Sequence, residues 1–513
     1  MKRMAYAPKT PTANESTALL SDSGKKLRLY DQSNHEQQAG IDGKGEEFWM
    51  KVMVSEAKVV VDYAWPLLIT YLVGLGMKLV DVWFLGRLGS QVMAVASLGN
   101  LFTTVGGIAV GTGLLTAVET LVAQAYTGAN DPKTLGIIFQ RGLIIMALVS
   151  IPISILWLFA EPILAHMGQS PDLARLAQQF LYFCIPFIYP VFVSTSIRKF
   201  LQSLGKMRIT MYMLICVFPL NLMSNFIFLD YLQLGYIGAA CHVLTFHLIV
   251  LVVFILFLLF GTDFRTHYWP GWSKHALTSW DTFLKLGVPG MLSVSTDWAF
   301  EVCALVAGTL GKTSLAGQSI VLAVNSFLLE IPNAISRALA TRVGHLLGAD
   351  QPHRIKACII ITVSGTISIV AFDAALMYFL KSRIAQHFTT DPEVQGAVLE
   401  LMPVACASHL FAGAGHLLSA VLNAYGRQPM VAAVNISSFY ILGLPFGVYL
   451  TYAHGWGLVG IWSGVVVAGF IKCASEAYLL LFVTNAETEC RRSSRLVYHQ
   501  ETIASQLPTN TRE

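Results

Sequence analysis

Apolar stretches separated by short polar breaks run through most of the chain. They lie at about 59–85, 92–126, 134–160, 176–200, 208–232, 235–261, 281–309, 314–347, 355–380, 396–424, 428–453 and 456–484. A helix needs about 20 apolar residues to cross the hydrocarbon core of a bilayer, and every stretch reaches that length. The pattern therefore predicts twelve transmembrane helices, and the second and eighth are expected to tilt or to project beyond the bilayer.

The twelve stretches form two halves that resemble each other. A Gly-x-Leu-Gly motif at 86–89 returns 222 positions later at 308–311, and a Gly-x-x-Gly motif at 235–238 returns at the same offset at 457–460. Three further short motifs recur in order at offsets of 220 to 223. Because six is even, both halves have the same orientation in the membrane. We predict an all-α integral membrane protein with two six-helix lobes, related by a pseudo-two-fold axis along the membrane normal.

Polar stretches set the domain boundaries. We expect an N-terminal tail at 1–57, an N-lobe at 58–261, an interlobe linker at 262–280, a C-lobe at 281–484 and a C-terminal tail at 485–513. The first tail is polar and lacks the short apolar run of a cleaved signal peptide, so we expect it to be disordered. With both tails in the cytosol, thirteen lysines and arginines lie at cytosolic helix ends and five at the opposite ends. This agrees with the positive-inside rule.

Composition confirms the class and excludes others. The chain is 55% hydrophobic and 12% charged, with a mean hydropathy of +0.59. Its net charge of +4 follows from membrane orientation and does not indicate a nucleic-acid partner. The eight cysteines form no CxxC pair, so neither a metal site nor a disulfide framework is predicted. Val306 replaces the first glycine of a phosphate-binding loop, so no nucleotide site or cofactor is expected.

The N-terminal tail contains a short motif that resembles a sorting signal. Glu15, Leu19 and Leu20 have the spacing of an acidic dileucine sorting signal, which a cytosolic adaptor would bind. Such short matches also arise by chance. A multi-pass protein of vacuolar or endolysosomal membranes and one of the plasma membrane therefore both stay open.

Two carboxylates interrupt the seventh apolar stretch. Asp297 and Glu301 lie near its middle, where a charged side chain costs about 2.5–3.5 kcal/mol on insertion scales. At i and i+4 they share one helical face, which can point away from lipid. We predict that this face carries an ion, such as the coupling cation, or a cationic solute. The alternative is that neighbouring helices satisfy both groups by hydrogen bonds. Aromatic side chains such as Trp298 either offer a face to an organic cation or fill the core.

In the first helix, Lys78 and Asp81 are three residues apart. One interpretation is a neutral intrahelical ion pair without a role in transport. The other is that Asp81 binds a proton or sodium ion while Lys78 modulates its affinity. Asn221 and Asn225 share a face of the fifth helix, and either bind a cation through their amide oxygens or form interhelical hydrogen bonds.

Several further polar residues lie within apolar stretches. Glu119 and Glu330, with Arg337 and Arg342, are expected to form a gate or structural contacts at the cytosolic side. Asp373 has no evident partner in the sequence. His409 and His416 share a face of the tenth helix, and a satisfied core role is favoured over a protonatable one.

Six motifs together resemble the multidrug and toxic compound extrusion (MATE) family over about residues 58–484. The motifs are Asp81-x-x-x-x-Gly86-Arg-Leu-Gly89, Glu119-Thr-Leu-x-x-Gln124-x-Tyr-x-Gly128, Trp269-Pro-Gly-Trp272-Ser273, Trp298-Ala-Phe-Glu301, Ala316-Gly-Gln318-Ser-Ile and Thr341-Arg-Val-Gly-x-x-Leu-Gly348-Ala. The resemblance implies a V-shaped pair of lobes. It also implies export of organic cations or other small metabolites in exchange for protons or sodium.

The resemblance also suggests roles for single residues. Asp81 matches the N-lobe cation-coupling aspartate, Asn221 and Asn225 match polar positions of the same site, and Glu301 matches a C-lobe glutamate. Gln318, within its motif, is expected to line the cavity. The chain departs from many animal relatives at two positions. Ala323 and Ala412 stand where those relatives have further C-lobe glutamates.

The expected function is therefore secondary antiport by alternating access, without enzymatic activity. The cargo is expected to be an organic cation, and the coupling ion H⁺ or Na⁺. Partners are the cargo, the lipid bilayer and a sorting adaptor, and the protein is expected to be a monomer. The alternative is an organic-anion exporter or a lipid or headgroup flippase, which a wide basic cavity would favour.

Overall fold

The computed structural model describes residues 45–294 and 298–505, and these residues form a bundle of long helices without strands. The helices are α1 (Gly45–Arg87), α2 (Ser90–Gly128), α3 (Lys133–Leu158), α4 (Pro171–Ser203), α5 (Met207–Tyr231), α6 (Gly235–Phe260), α7 (Trp280–Val294 and Trp298–Leu310), α8 (Lys312–Gly348), α9 (Pro352–Phe388), α10 (Pro392–Ala424), α11 (Gln428–Tyr452), α12 (Gly457–Val483) and α13 (Ala486–Ser505). Eleven of the described helices are long and apolar enough to span a membrane. With α7 they form the twelve transmembrane helices of two six-helix lobes, as predicted.

Glycines at matching turns explain the internal repeat. Gly89, between α1 and α2, has a φ of 99°, and Gly311, between α7 and α8, has a φ of 120°. Gly205, between α4 and α5, and Gly426, between α10 and α11, have φ values of 74° and 73°. A side chain at a positive φ is strained, so glycine is the residue that these tight turns favour. The repeated motifs therefore mark the turns that give both lobes the same path.

Each lobe has its own apolar core. Trp157 on α3 is fully buried in the N-lobe, and Trp462 on α12 is fully buried in the C-lobe. A third cluster joins the lobes and contains Leu67 of α1, Leu346 of α8 and Leu417 of α10. The lobes are thus connected by apolar contacts as well as by the chain.

Polar contacts join the lobes at the ends of α2, α8 and α10. Gln124 Nε2 donates a hydrogen bond to the carbonyl oxygen of Ala424 at 2.7 Å, and Thr127 Oγ1 donates to that of His345 at 2.6 Å. The α2–α3, α8–α9 and α10–α11 loops and α13 lie at this same end, which we call the closed end. On the predicted topology it is the cytosolic end.

The structure corrects the predicted N-terminal boundary. Residues 45–57 were expected in a disordered tail, yet α1 begins at Gly45. Glu46 and Glu47 in its first turn favour the start of a helix, because carboxylates interact well with its N-terminal dipole. Further along, the fully buried Glu56 is paired with two arginines of the C-lobe. The polarity of Glu56 therefore reflects a structural role between the lobes. The remaining tail, including Glu15, Leu19 and Leu20, lies outside the described residues.

The C-terminal tail also contains a helix that the sequence analysis did not predict. Helix α13 buries Cys490 and Val497 against the closed end. Burial, together with the nearby Asp350 carboxylate, raises the pKa of the Cys490 thiol to about 12. The linker is ordered too: Phe264 and Ala276 are buried, and Gln140 of α3 donates to the carbonyl oxygen of Gly271 at 2.7 Å. The segment between the lobes is therefore packed against the N-lobe.

We predict that Gly348→Ala destabilises the closed end. A Cβ atom at this position would lie 2.1 Å from the carbonyl oxygen of Gln124 and 2.4 Å from Thr127 Oγ1, so α2 and α8 would have to separate. Overpacking of this kind costs about 1–3 kcal/mol. Thermal unfolding of the purified protein in detergent measures the effect. Gly365→Ala on α9 is the matched control, because nothing lies within 4 Å of its added Cβ. Equal melting temperatures for both variants would contradict the prediction.

Candidate functional site

The N-lobe contains a polar site around Asp81. Its carboxylate oxygen Oδ1 accepts a hydrogen bond from Asn221 Nδ2 at 3.0 Å and one from Asn225 Nδ2 at 2.7 Å. Nε2 of His242 on α6 lies 3.4 Å from the same oxygen, and His242 Nδ1 lies 3.0 Å from Ser224 Oγ. Helices α1, α5 and α6 thus meet at one carboxylate.

The periodicity of α5 explains this arrangement. Asn221 and Asn225 are four residues apart, so both amides project from the same face toward α1. Both asparagines are fully buried, and their Oδ1 atoms have no hydrogen-bond partner. The Asp81 side chain remains 34% exposed. The amide nitrogens thus face one accessible carboxylate, which can bind a proton or a small hard cation.

The structure bears on one of the two interpretations of Lys78, the intrahelical ion pair. Lys78 is exposed and forms no ion pair with Asp81, so the neutral intrahelical pair is not observed. Instead, Lys78 lies within electrostatic range of Glu330 on α8. His242 contacts Asp81 in place of the lysine, and this contact was not predicted from the sequence. A histidine in the otherwise apolar α6 was the available signal, but its alignment with Asp81 depends on tertiary packing.

A cavity of about 710 Å³ lies between the lobes. Its N-lobe wall includes Tyr71, Glu119 and Ser203. The polar and charged residues of its C-lobe wall are Ser293, Asn325, Ser326, Glu330, Asn333, Ser336, Arg337, Thr341, Ser408, His416, Ser419, Asn423, Asn435 and Lys472. Hydroxyl and amide groups predominate in this set. The cavity can therefore form many hydrogen bonds to a solute of moderate size.

Glu119 forms ion pairs with both lobes at this cavity. Lys199 Nζ of α4 lies 3.0 Å from Glu119 Oε1, and Arg337 NH1 of α8 lies 2.9 Å from Glu119 Oε2. Two cations thus neutralise this single carboxylate. Glu330, the other carboxylate that lines the cavity, lies within electrostatic range of Lys78.

Arg342 lies outside this cavity. Its Nε and NH2 donate to the carboxylate of Glu56 at 2.6 and 2.9 Å, and Arg354 NH2 lies 2.6 Å from Glu56 Oε1. Since Glu56 belongs to α1 and both arginines to the C-lobe, this cluster joins the lobes at the closed end. The sequence analysis named Arg342 but not its partner, because 286 residues separate the two.

The remaining predicted residues lie in the C-lobe. Gln318 is buried, with its amide 3.4 Å from the indole nitrogen of Trp462, and it does not line the cavity. Asp297 lies outside the described residues, as do the side chains of Trp298 and Glu301. Their assignments stay predictions.

A second polar cluster lies within the C-lobe. His409 Nδ1 of α10 is 2.9 Å from Asn325 Oδ1 of α8, and His409 Nε2 is 3.9 Å from Asp373 Oδ2 of α9. Asp373 therefore lies beside His409, a contact that the sequence did not reveal. Further along α10, Ser419 Oγ donates to the buried Glu476 of α12 at 2.7 Å. No group of three or more metal-ligating side chains occurs in the part of the chain that the structure describes.

Comparisons with known proteins agree with this architecture. The family model described as MatE matches residues 66–227 and 291–449. Multidrug and toxin extrusion protein 1 of Mus musculus is 31% identical over 427 residues, which cover 83% of this chain and 75% of that protein. An uncharacterized transporter of Schizosaccharomyces pombe is 30% identical over 82% of this chain and 79% of that protein. The crystal structure of a eukaryotic MATE transporter matches with a TM-score of 0.80 and 23% identity, covering 87% of this chain and all of the other.

Proposed function

Because this chain belongs to the multidrug and toxic compound extrusion (MATE) family, whose members are transporters and not enzymes, we propose that it is a proton-coupled antiporter for organic cations. Extrusion of drugs or toxins across a membrane is the general activity of the family. The coupling ion and the class of cargo are the steps that we add. The observation that carries the proposal is the Asp81 site.

Proton binding at Asp81 would change the contacts among three helices. The ionised carboxylate accepts bonds from two amides and lies beside His242, and hydrogen bonds to a charged acceptor are about twice as strong as neutral ones. A proton on Asp81 removes that charge and weakens the contacts of α1 with α5 and α6. Proton loading is thereby linked to helix position in the N-lobe. A gradient of one pH unit supplies about 1.4 kcal/mol for such a cycle.

The cavity supports a cationic cargo through Glu330 and Tyr71. Glu330 provides a carboxylate, and Tyr71 provides an aromatic ring on the opposite wall. Arg337 and Lys472 favour the alternative, an organic anion, because both cations also line the cavity. Since Glu119 already pairs with Arg337, Lys472 is the cation that an anionic cargo would contact.

Uptake into proteoliposomes distinguishes these cargoes. The purified protein is tested with a fluorescent organic cation and a fluorescent organic anion, under a proton gradient and then a sodium gradient. We expect proton-driven cation uptake that Glu330→Gln lowers about tenfold, equal to about 1.4 kcal/mol, while Lys472→Met has little effect. Anion uptake that Lys472→Met abolishes would favour the alternative, and uptake driven by sodium alone would contradict proton coupling.

We also propose that both tails face the cytosol and that the protein acts as a monomer in the vacuolar or endolysosomal membrane or in the plasma membrane. The excess of positive charge at one side supports this orientation. Substitution of Leu19 and Leu20 by alanine tests whether these residues act as a sorting signal. Unchanged localisation of the variant would argue against binding of a sorting adaptor.

A further inference from the structure

The buried cluster in the C-lobe has an unusual arrangement of protons. His409 is fully buried and Asp373 is 4% exposed. The amide oxygen of Asn325 can only accept a hydrogen bond, so Nδ1 of His409 must carry the proton between them. Nε2 of a neutral ring then presents a lone pair toward Asp373 Oδ2, 3.9 Å away. Neither of these two facing atoms has a hydrogen-bond partner.

The Asp373–His409 cluster can bind one more proton. With a neutral imidazole and an ionised carboxylate, the cluster holds one buried negative charge, and burial of an uncompensated charge is costly. A proton on His409 Nε2 makes an imidazolium–carboxylate pair, and a proton on Asp373 Oδ2 makes a neutral acid. In both cases the net charge of the cluster falls to zero. Gain and loss of this proton therefore switch the C-lobe interior between neutral and negative.

We propose that Asp373 and His409 form a second protonation site, which exchanges one proton with the central cavity past Asn325. This inference rests on the proposed antiport function and adds a C-lobe site to it. Access follows from the cavity wall, since Asn325 and Ser408 both line the cavity and His409 lies directly behind them.

The charged groups on the surrounding helices also bear on the cluster. In the described part of the chain, Asp373 and His409 form no ion pair except with each other. His416 on α10 lies within electrostatic range of His409, and also of Lys472 on α12 and Arg337 on α8. Glu330 of α8, Lys381 of α9 and Glu476 of α12 are the further titratable or charged groups on the adjoining helix faces. The side chain of Glu301 lies outside the described residues.

The Asp373–His409 pair is also relevant to Ala323 and Ala412, the two positions at which the chain departs from the family pattern. Ala412 lies on α10 three residues after His409, and Ala323 lies on α8 two residues before Asn325. Neither alanine can accept a proton. Asp373 and His409 supply a titratable pair to the same helices, which gives the C-lobe a carboxylate from α9.

Infrared spectroscopy of the purified protein tests the proposal directly. Difference spectra between alkaline and acidic pH should contain a buried carboxyl or imidazole signal. We expect Asp373→Asn to remove this signal and His409→Gln to shift it, since glutamine keeps an amide donor for Asn325. Thr366→Val on α9 is the control, because its buried hydroxyl donates to the Thr362 carbonyl oxygen within the same helix. In proteoliposomes we expect Asp373→Asn to slow proton-driven uptake about tenfold, and Thr366→Val to leave it unchanged.

The possible outcomes are separable. A titration of Asp373→Asn identical to that of the wild type would mean that the pair keeps one protonation state, and it would overturn the proposal. Should Asp373→Asn fail to fold, the shift in His409→Gln decides. If the wild type shows no proton-driven uptake, the proposed antiport function fails, yet the infrared titration still reports whether the pair exchanges a proton.

Discussion

Substitution of Asp81 by asparagine is expected to abolish proton-driven uptake while leaving the fold intact. Asparagine keeps an acceptor oxygen for Asn221 and Asn225 but cannot bind a proton at neutral pH. We expect a decrease of at least about tenfold in uptake of the organic cation under a pH gradient, a loss of more than about 1.4 kcal/mol of coupling. The measurement is the initial rate of uptake into proteoliposomes, with thermal unfolding as the check on folding.

Asp230→Asn provides the matched control for this experiment. Asp230 lies at the end of α5 and pairs with Arg87 at 3.0 Å, on the same two helices but outside the Asp81 site. We expect this variant to transport normally. Wild-type rates in Asp81→Asn would remove Asp81 from the coupling mechanism, and equal losses in both variants would indicate a structural effect.

The second large effect is expected from Glu56→Ala. Glu56 is fully buried, while the side chains of Arg342 and Arg354 are 17% and 14% exposed. Removal of the carboxylate leaves two largely buried guanidinium groups that repel each other across α8 and α9. Breaking a buried ion pair in this way costs about 3–5 kcal/mol. We expect a marked decrease in melting temperature and separation of the lobes at the closed end.

Thermal unfolding and cysteine cross-linking across the closed end measure these two effects of Glu56→Ala. Glu47→Ala is the control on the same helix, because Glu47 forms an exposed pair with Lys51. Exposed pairs of this kind contribute little to stability. The prediction fails if Glu56→Ala and Glu47→Ala unfold at the same temperature.

Length and apolar character were sufficient to predict the transmembrane helices. Each span must satisfy its own backbone hydrogen bonds within lipid, so an apolar stretch of sufficient length has few alternatives to a helix. The repeated glycines predicted the two lobes because tight turns restrict the residue type. Glycines 89 and 311 at positive φ show that the repeat reflects backbone geometry.

Contacts between distant helices could not be predicted in the same way. Lys78 is three residues from Asp81, yet its electrostatic partner is Glu330, because the rotation of α1 directs the two side chains to different neighbours. His242 lies beside Asp81 because α6 packs on α5. Asp373 lies beside His409 because α9 packs on α10. The extension of α1 before residue 58 was missed because it is polar, and Glu56 meets its arginine partners only through packing against the C-lobe.

Helix α13 lies across the closed end and contacts both lobes. Glu501 accepts hydrogen bonds from the Asn130–Asp131 loop of the N-lobe, and Gln500 accepts one from Arg141 at 2.6 Å, while Glu489 pairs with Arg427 of the C-lobe. Only two residues separate α13 from α12, so the chain holds it to the C-lobe. Any separation of the lobes at the closed end must therefore break the contacts of Glu501 and Gln500. Each of these contacts with the N-lobe joins one charged group to a neutral one, and charge-assisted hydrogen bonds of this kind are stronger than neutral ones, so helix α13 opposes separation of the lobes at this end.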